Sequence, residues 1–505
     1  MAARPGSPEV LAALLDGLPE AADEGDRANR RPEAAVNADG LAALAGSRRA
    51  YRSCVGSRTA GPGGLHRAAG RAPAADRVGT QRPGVRGPGD RGPLLDPRSL
   101  PGVGDHLRHL AELVRPAVFR SHVYDLVVQR FVAEHHSGGW CRDALGFLMR
   151  GSVERDADRD LQRAMGADFE ARSAPGERAW LPVGVTSIGP HAGVMYQVAT
   201  GPLGDPEQPV TVVNNFGSGT GSLLARFAHL LGEEFRGQLE DHIRGAWADL
   251  PVRELTLWTE ANTAQAECSG ILPPLLVPGE PDAPDGLALQ DCGLAHDPVT
   301  DTLALTDPRG EPFGLTYLGL TPRHLLQGYL RLLGVLADPW INGSPHSDYT
   351  VTKYALLAEL STDHVEELPR VVQRGLVTRR RSWVVPRGML PDIDGSDRDL
   401  CLAASRLREE HGMPEEVFIH QLGGFGAPMT GLRKPTWTSW SSPTCLRVAL
   451  GTLAPQTAHV RVVEALPAST GHVQRDPDGR PRATEHCQLL AWPRPPCDPA
   501  RGGMS

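Results

Sequence analysis

Apolar residues recur along the chain with the spacing of strands in some segments and of helices in others. Both spacings occur, one after the other, in the stretch from Pro209 to Phe235. Val210, Val212 and Val213 are β-branched and predict a buried strand. A glycine-rich loop follows, in which tight turns with positive φ are accessible. Beyond it, apolar residues recur at helical spacing on one face: Leu223, Phe227, Leu230 and Leu231. The pattern predicts a strand, a glycine loop and an amphipathic helix that begins at the loop.

The junction between this predicted strand and helix is the candidate site. Ser222 is placed to cap the helix. Free N–H groups and the positive end of the helix dipole favour a phosphate or carboxylate there, and Arg226 could supply a forked, charge-assisted contact. The polar and glycine residues of the loop are the substrate-binding candidates: Asn214, Asn215, Gly217, Gly219, Gly221 and Ser222.

Two other interpretations of this stretch remain open or are disfavoured. Asn214 and Asn215 also suit an ordinary turn, and an arginine on a helix flank is commonly solvated or ion-paired. A dinucleotide or methyl-donor site is disfavoured, because the glycines are spaced G-x-G-x-G rather than G-x-G-x-x-G. In addition, no second strand that ends in an acidic residue follows at about 20 residues.

The remaining pattern predicts an α+β fold. Helical periodicity covers four further segments: Leu107 to Val114, HVYDLVVQRFVAEH, TPRHLLQGYLRLLGVLAD from a Thr321-Pro322 cap, and Arg398 to His411. The segment from Leu287 to Gly319 predicts antiparallel strands with turns at Asp297-Pro298 and at Asp307 to Gly310. The closing third supplies further strands. We expect a large composite domain of mixed and antiparallel sheets with packed helices.

Composition divides the chain into an arm, a domain and a tail. From Tyr51 to Leu100 the sequence is rich in Arg, Gly, Pro and Ala and almost lacks aromatic and β-branched residues, which predicts disorder. A basic arm for RNA and a stretch read out of frame are the alternatives. We therefore expect a poorly structured arm over 1–102, the main domain over 103–495 and a tail over 496–505.

Charge and cysteine content narrow the functional classes. The chain carries 52 basic and 60 acidic residues, a net charge of −8, so its average surface is not that of a nucleic-acid binder. Leu41 to Leu100 departs from this average, with eleven Arg against three Asp, a local net of +8 that leaves −16 for the rest. Eight scattered cysteines without a C-x-x-C pair favour reduced thiols in a cytoplasm.

No metal site and no membrane span are predicted. His135, His136 and Cys141 are close in sequence, but Gly138 and Gly139 would break the helix needed to align them. No apolar run reaches the roughly 20 residues of a spanning helix, and the N-terminus lacks a signal pattern.

Several short motifs follow one another in a distinctive order. They are Val123-Tyr124-Asp125, Gly138-Gly139 with Cys141, VVNN with the glycine loop and ARF, the Leu287 to Gly319 hairpins, LPRVV, RRRSWVVP, MPEEVFIH, RKPTWTSWSSP and EALP. In this order they resemble the class I lantibiotic (lanthipeptide) dehydratases, and specifically the later part of their N-terminal, glutamylating domain. The resemblance covers roughly Leu110 to Trp492.

The resemblance implies transfer of glutamate from glutamyl-tRNA to Ser or Thr hydroxyls of a ribosomally made precursor peptide, in lanthipeptide or thiopeptide biosynthesis. Elimination to dehydroamino acids would follow in a separate domain or protein. Glutamyl-tRNA is then a co-substrate, no other cofactor is needed, and a homodimer is left open. Family members hold an Arg-Phe pair after the glycine loop, so the catalytic role is carried over to Arg226. On charge alone, candidates for RNA backbone contacts are Arg374, Arg379, Arg380 and Arg381; a charged edge strand is the alternative.

Two departures from the family pattern affect this interpretation. An early Arg- and Thr-bearing motif and a leader-binding region have no counterpart before Val103, and no elimination domain follows Trp492. We therefore expect a split component or a truncated protein. The alternative function is that of a non-catalytic member that binds a precursor peptide or a partner enzyme through strand edges.

Overall fold

A computed structural model describes most of the chain from Asp96 onward. The described residues are 79–81, 96–153, 155–173, 188–200, 209–225, 227–247, 250–255, 257, 270–280, 282–319, 321, 326–342, 363–421, 435–455 and 457–492. Residues Arg77–Ser505 form one compact unit; a separate unit, Met1–Asp76, lies outside the described residues. Most of the predicted arm and the whole tail also lie outside them.

The helices fall mainly in the first half of the unit. In chain order they are α1 (Val103–Val114), α2 (His122–His135), α3 (Ala144–Val153), α4 (Arg155–Ser173), α5 (Ser222–Ala225), α6 (Ala228–Leu231), α7 (Glu233–Ala246), α8 (Tyr329–Ala337), α9 (Asp397–Glu410) and α10 (Pro443–Gly451). Short 3-10 turns occur at Pro97–Ser99, Arg115–Ala117, Leu289–Asp291 and Arg387–Met389.

Twenty strands are described, most of them short. They are β1 (Gly79–Gln81), β2 (Val118–Arg120), β3 (Trp140–Cys141), β4 (His191–Ala199), β5 (Val210–Gly217), β6 (Val252–Leu255), β7 (Pro274–Leu276), β8 (Leu287–Ala288), β9 (Gly293–Asp297), β10 (Thr302–Thr306), β11 (Pro312–Thr316), β12 (Trp340–Asn342), β13 (Glu366–Leu368), β14 (Val371–Gln373), β15 (Leu376–Arg379), β16 (Ser382–Pro386), β17 (Glu416–Gln421), β18 (Thr436–Ser439), β19 (His459–Glu464) and β20 (His486–Ala491).

These strands form four sheets, which confirms the predicted α+β class. A six-stranded sheet has the order β1-β20-β4-β5-β15-β14, and a seven-stranded sheet the order β3-β9-β10-β11-β6-β7-β8. A five-stranded sheet runs β13-β16-β19-β17-β18, and β12 pairs with β2. Both parallel and antiparallel pairs occur, since β5 pairs in parallel with β15 and antiparallel with β4.

Each large sheet packs helices against an apolar core. The first core joins the six-stranded sheet to α1 and α7, for example through Tyr196, Leu110 and Leu239. The second joins the seven-stranded sheet to α2, α3 and α8, and the third joins the five-stranded sheet to α9 and α10. β5 therefore lies inside the six-stranded sheet, where Val212 is fully buried.

The predicted elements are confirmed in some places and wrong in others. The HVYDLVVQRFVAEH segment is α2, capped by the Ser121 hydroxyl on the Val123 amide, and the Leu287 to Gly319 segment forms the predicted antiparallel β9-β10-β11 hairpins. Residues 322–325 of the helix predicted from Thr321-Pro322 lie outside the described residues; the described helix α8 begins at Tyr329, after Gly328 with φ 55° and ψ −140°.

Candidate functional site

The glycine loop after β5 packs tightly against its own protein. A Cβ atom on Gly219 would lie 2.8 Å from the Ala192 amide nitrogen and 2.9 Å from Cδ2 of His191. Gly221 has φ +95°, and a Cβ there would lie 2.5 Å from Cδ1 of Leu239. Packing against β4 and α7 therefore accounts for these two glycines, and the substrate-binding assignment of the loop stays a prediction.

A cluster of the half-buried Ser218 with the buried His191 and Asp338 holds the centre of the loop. The Ser218 hydroxyl donates to Oδ2 of Asp338 at 2.7 Å and lies 3.4 Å from Nε2 of His191. Nε2 of His191 also lies 3.3 Å from Asp338, and both side chains are only 5% exposed. Because the Gly189 carbonyl, 2.8 Å away, can only accept, Nδ1 of His191 carries a hydrogen.

Two further side chains donate hydrogen bonds to carbonyl oxygens of the loop. Nδ2 of Asn342 donates to the Gly217 carbonyl at 2.5 Å, and Nε2 of His242 donates to the Gly219 carbonyl at 2.9 Å. Burial lowers the pKa of His242, although the Gly219 carbonyl opposes this shift. The loop is thus fixed by side chains from β12 and α7, and the shape of its backbone is set by the protein itself.

The helix predicted after the loop is not continuous. Ser222 is the first residue of α5, which has four residues, and is not its cap. The Gly221 carbonyl before it accepts hydrogen bonds from the Leu224 and Ala225 amides. A second four-residue helix, α6, ends at Gly232 with φ 89°. The long helical dipole assumed for an anion site is therefore absent from the described part of this segment. Arg226 itself lies outside the described residues, so its catalytic role stays a prediction.

Asn214 lies in a β-bulge and connects two charged side chains. Tyr196 pairs with Val213 and its neighbour Met195 with Asn215, so Asn214 is the extra residue of β5. Its Oδ1 accepts from Nη2 of Arg380 at 2.6 Å, and its Nδ2 donates to Oε1 of Glu485 at 2.5 Å. The side chain of Asn215, by contrast, bonds its neighbour in sequence, since its Oδ1 accepts from the Phe216 amide.

Arg380 is half-buried on this sheet and binds neutral oxygens. Its Nε and Nη2 donate to the Leu466 carbonyl at 2.9 and 2.7 Å, and Nη2 also lies 3.2 Å from Oε1 of Gln197. The amide nitrogen of Gln197 in turn donates to the Thr484 carbonyl at 3.1 Å.

The other predicted RNA-binding arginines have different surroundings. Arg381 forms a two-point ion pair with Glu367, at 2.6 and 3.0 Å, and lies over the Trp383 ring. Arg379 donates to the Pro369 carbonyl at 3.3 Å. Arg374 is exposed in the β14–β15 turn, where its φ is 45°. The structure thus separates the four, and their RNA contacts stay predictions.

The polar partners in these clusters carry no sequence signal of their own. No recognisable motif contains Asp338, His191 or Glu485. Asp338 contacts the loop, and Glu485 the bulge, from more than a hundred residues away in sequence, while His191 contacts the loop from the neighbouring strand β4. Within the described ranges, no group of three or more His, Cys, Asp or Glu side chains could hold a metal ion. No described helix is long and apolar enough to cross a membrane.

Comparisons with known proteins give similarity at the level of solved structures. No family model and no curated protein matches the chain. The glutamylation domain of TbtB from thiomuracin biosynthesis, bound to 5'-phosphodesmethylglutamycin, is similar with a TM-score of 0.47 and 18% identity, over 77% of this chain and 50% of that chain. The same domain in a second structure has a TM-score of 0.43, 18% identity and the same coverage.

A third similar structure is the tRNA dependent lantibiotic dehydratase MibB from Microbispora sp. 107891. Its TM-score is 0.43 with 15% identity, over 72% of this chain and 32% of that chain. The chain thus spans half the length of the two TbtB structures and about a third of MibB.

Proposed function

We propose that the chain transfers glutamate from glutamyl-tRNA to Ser or Thr hydroxyls of a ribosomally made precursor peptide, the first step of dehydration in lanthipeptide or thiopeptide biosynthesis. Elimination to dehydroamino acids would follow in a separate domain or protein. The proposal starts from the order of motifs that resembles the glutamylating domain of class I lantibiotic dehydratases, and glutamyl-tRNA is its co-substrate.

One structural observation supports the proposal most directly: four of these motifs meet in space. Arg380 of RRRSWVVP bonds Asn214 of VVNN at 2.6 Å and the Leu466 carbonyl of EALP at 2.9 Å. Arg370 of LPRVV forms a two-point ion pair with Glu464 of EALP, whose side chain is 5% exposed. Segments separated by up to about 250 residues therefore build one polar cluster, as expected of motifs that share a site.

The chemistry requires little covalent machinery from the protein. Acyl transfer from an activated ester to a hydroxyl depends on orientation of the two reactants and on electrostatic stabilisation of the developing oxyanion. Arginines suit this task, since a guanidinium binds carboxylate and phosphate through two parallel hydrogen bonds. Arg226, after the glycine loop, is the arginine that we assign to the reacting group.

The test is incubation of the protein with glutamyl-tRNA and a candidate precursor peptide, read by mass spectrometry. We expect additions of whole glutamyl residues to Ser or Thr, and none when free glutamate and uncharged tRNA replace glutamyl-tRNA. An unmodified peptide that nevertheless binds the protein would favour the non-catalytic, peptide-binding function instead. Arg226→Lys, which keeps the charge but loses the planar fork, should lower transfer by a folded protein.

A further inference from the structure

A histidine at the start of α2 is held by a buried carboxylate and keeps one ring nitrogen open. Nδ1 of His122 lies 2.8 Å from Oδ1 of Asp168 on α4. The Asp168 side chain is 10% exposed, whereas that of His122 is 42% exposed. Nε2 of His122 is not buried, and it has no hydrogen-bond partner within the described ranges. An incoming group could therefore reach this nitrogen.

The contacts of Asp168 fix the hydrogen on the His122 ring. The carboxylate accepts from the Ser121 hydroxyl at 2.6 Å and from the His122 main-chain amide at 2.7 Å. Because an ionised carboxylate can only accept, Nδ1 donates to it and the neutral ring presents a lone pair at Nε2. A carboxylate in this position orients the imidazole and stabilises the imidazolium that forms when Nε2 takes a proton.

Capping of α2 does not account for the contact with the ring. The Ser121 hydroxyl accepts from the Val123 amide at 3.1 Å, and Asp168 accepts from the amide of residue 122. Both bonds use main-chain donors at the helix start, so an alanine at position 122 would keep them. The imidazole is thus an additional partner of Asp168, beyond what the helix start requires.

A hydrogen-bonded corner connects the His122–Asp168 pair to the glycine loop. The amide of Ser121, next to His122, donates to the Pro339 carbonyl at 2.8 Å. The residue before Pro339 is Asp338, which accepts from the Ser218 hydroxyl of the loop at 2.7 Å. The pair therefore lies on the segment adjoining the one that holds the loop.

The two histidines that contact the loop directly use Nε2 inside the protein. Nε2 of His191 faces the Ser218 hydroxyl and the Asp338 carboxylate, and Nε2 of His242 donates to the Gly219 carbonyl. Neither nitrogen is free to take a proton from a substrate. Of these three histidines, His122 alone leaves Nε2 open.

We propose that His122 is the general base of glutamyl transfer and that Asp168 is its positioning residue. Nε2 takes the proton of the Ser or Thr hydroxyl as the hydroxyl oxygen attacks the ester carbonyl carbon of glutamyl-tRNA. The bond from this carbon to the ribose oxygen then breaks, and the imidazolium returns the proton to the ribose oxygen. The inference rests on the proposed function, and it adds a proton acceptor to the arginine assigned to the reacting group.

The first experiment measures single-turnover transfer by His122→Ala. A general base contributes roughly 10²- to 10⁴-fold, so the rate should fall by about that factor. Free imidazole added to this variant should restore part of the rate, because it can occupy the place of the missing ring. A merely structural role would give no such rescue. Full transfer by the folded variant, or a loss that imidazole does not relieve, would overturn the assignment.

The pH dependence gives a second signature of the base. Wild-type transfer should rise with pH in the range where an imidazole loses its proton, and His122→Ala should lack this rise. The charged groups that face the ring are Asp168 on α4 and Asp125 on α2, and Asp125 is paired with Arg120 of β2. All three remain in the alanine variant, so a rise that persisted there would contradict the proposal.

Two further variants separate positioning from structure. Asp168→Asn should lower transfer in the wild-type background but cost nothing more in His122→Ala, because it acts through the ring. The matched control is His109→Ala. Nδ1 of His109 also lies near a carboxylate, at 3.5 Å from Glu112, but that carboxylate is exposed. This variant should keep the wild-type rate and should not respond to imidazole.

A readout without tRNA separates this inference from the proposed function. With p-nitrophenyl acetate, the open Nε2 attacks the acetyl carbon, p-nitrophenolate leaves, and water hydrolyses the acetyl-imidazole. The wild type and His109→Ala should release p-nitrophenolate faster than His122→Ala. If this difference holds but no peptide is modified, the base stands and the transferase function is wrong. If the wild type transfers glutamate and folded His122→Ala transfers equally, the function stands and the base is wrong.

Discussion

At the scale of single residues, the glycine loop depends on the Asp338 carboxylate, which no local sequence pattern predicts. Oδ2 of Asp338 accepts from the Ser218 hydroxyl at 2.7 Å, and Oδ1 accepts from the Trp340 amide at 3.0 Å. His191, beside it, holds one hydrogen on the Gly189 carbonyl and presents Nε2 to the same carboxylate. The Asp338 carboxylate therefore contacts both the buried His191 ring and the Ser218 hydroxyl.

Replacement of Asp338 should destabilise the protein. We expect Asp338→Asn to cost about 1–3 kcal/mol in urea unfolding, because the amide leaves buried polar partners without a charged acceptor. Asp297→Asn is the matched control. Asp297 also accepts from an amide two residues on, Val299, and from a hydroxyl, Thr300, but in a half-exposed turn. Equal losses for the two variants would show that the buried cluster has no special weight.

A second residue-scale prediction concerns pH. Burial raises the pKa of Glu254 from 4.5 to about 7, although amides of Ile271 and Leu272 hydrogen-bond its carboxylate. A carboxyl group with a raised pKa binds its proton more tightly in the folded state. Its stabilising effect is therefore fully present below pH 4.5 and is lost as the pH rises toward 7.

The measurement is the difference in unfolding free energy between the wild type and Glu254→Gln across this pH range. The unfolding free energy of the wild type minus that of the variant should fall by up to about 3 kcal/mol from pH 4.5 to pH 7, because the wild type loses stability over this range. Burial lowers the pKa of His486 to about 4, which acts in the opposite sense, but this contribution is common to both proteins and cancels. Parallel stability curves would contradict the prediction.

At the scale of elements, the sequence predicts correctly those helices and hairpins whose formation depends on local interactions. The β9-β10-β11 hairpins follow from their turn residues, and α2 follows from its apolar spacing. The helix after the glycine loop was predicted as one element, yet Gly232 with φ 89° ends α6. The Asn214 bulge could not be predicted, because it depends on register against β4.

The polar partners of the site likewise depend on contacts between segments that are distant in sequence. Asn214 and Ser222 lie on either side of the glycine loop, so the sequence pattern identifies them as candidates. Glu485 directly precedes β20, which pairs with β4, and Asp338 lies two residues before β12, which pairs with β2. Partners set by strand order are not encoded within any short window of sequence.

The β14–β15 turn provides an element-scale prediction. Arg374 and Gly375 both have positive φ, 45° and 79°, as a two-residue turn of this hand requires. A Cβ on Gly375 would lie 1.9 Å from Nε2 of His106, so Gly375→Ala should lower stability by about 1–3 kcal/mol. Gly237→Ala, in open space on α7, should instead raise it by up to about 1 kcal/mol. Thermal unfolding of the two variants gives the comparison, and equal shifts would argue against the turn geometry.

At the scale of the whole molecule, polar clusters connect motifs that are distant in sequence and that lie in the six-stranded and five-stranded sheets. Arg370, in the connection between β13 and β14, pairs with Glu464 of β19, and Arg380, directly after β15, bonds Asn214 in the bulge of β5. We propose that this arrangement moves a glutamyl group from tRNA to a peptide.

The most direct test follows labelled glutamate from tRNA in a single turnover with excess protein and a precursor peptide. We expect the label to leave the tRNA and to appear on Ser or Thr of the peptide in equal amount, and we expect glutaminyl-tRNA to supply none. Label that stays on the tRNA, or that is released only as free glutamate, would contradict it.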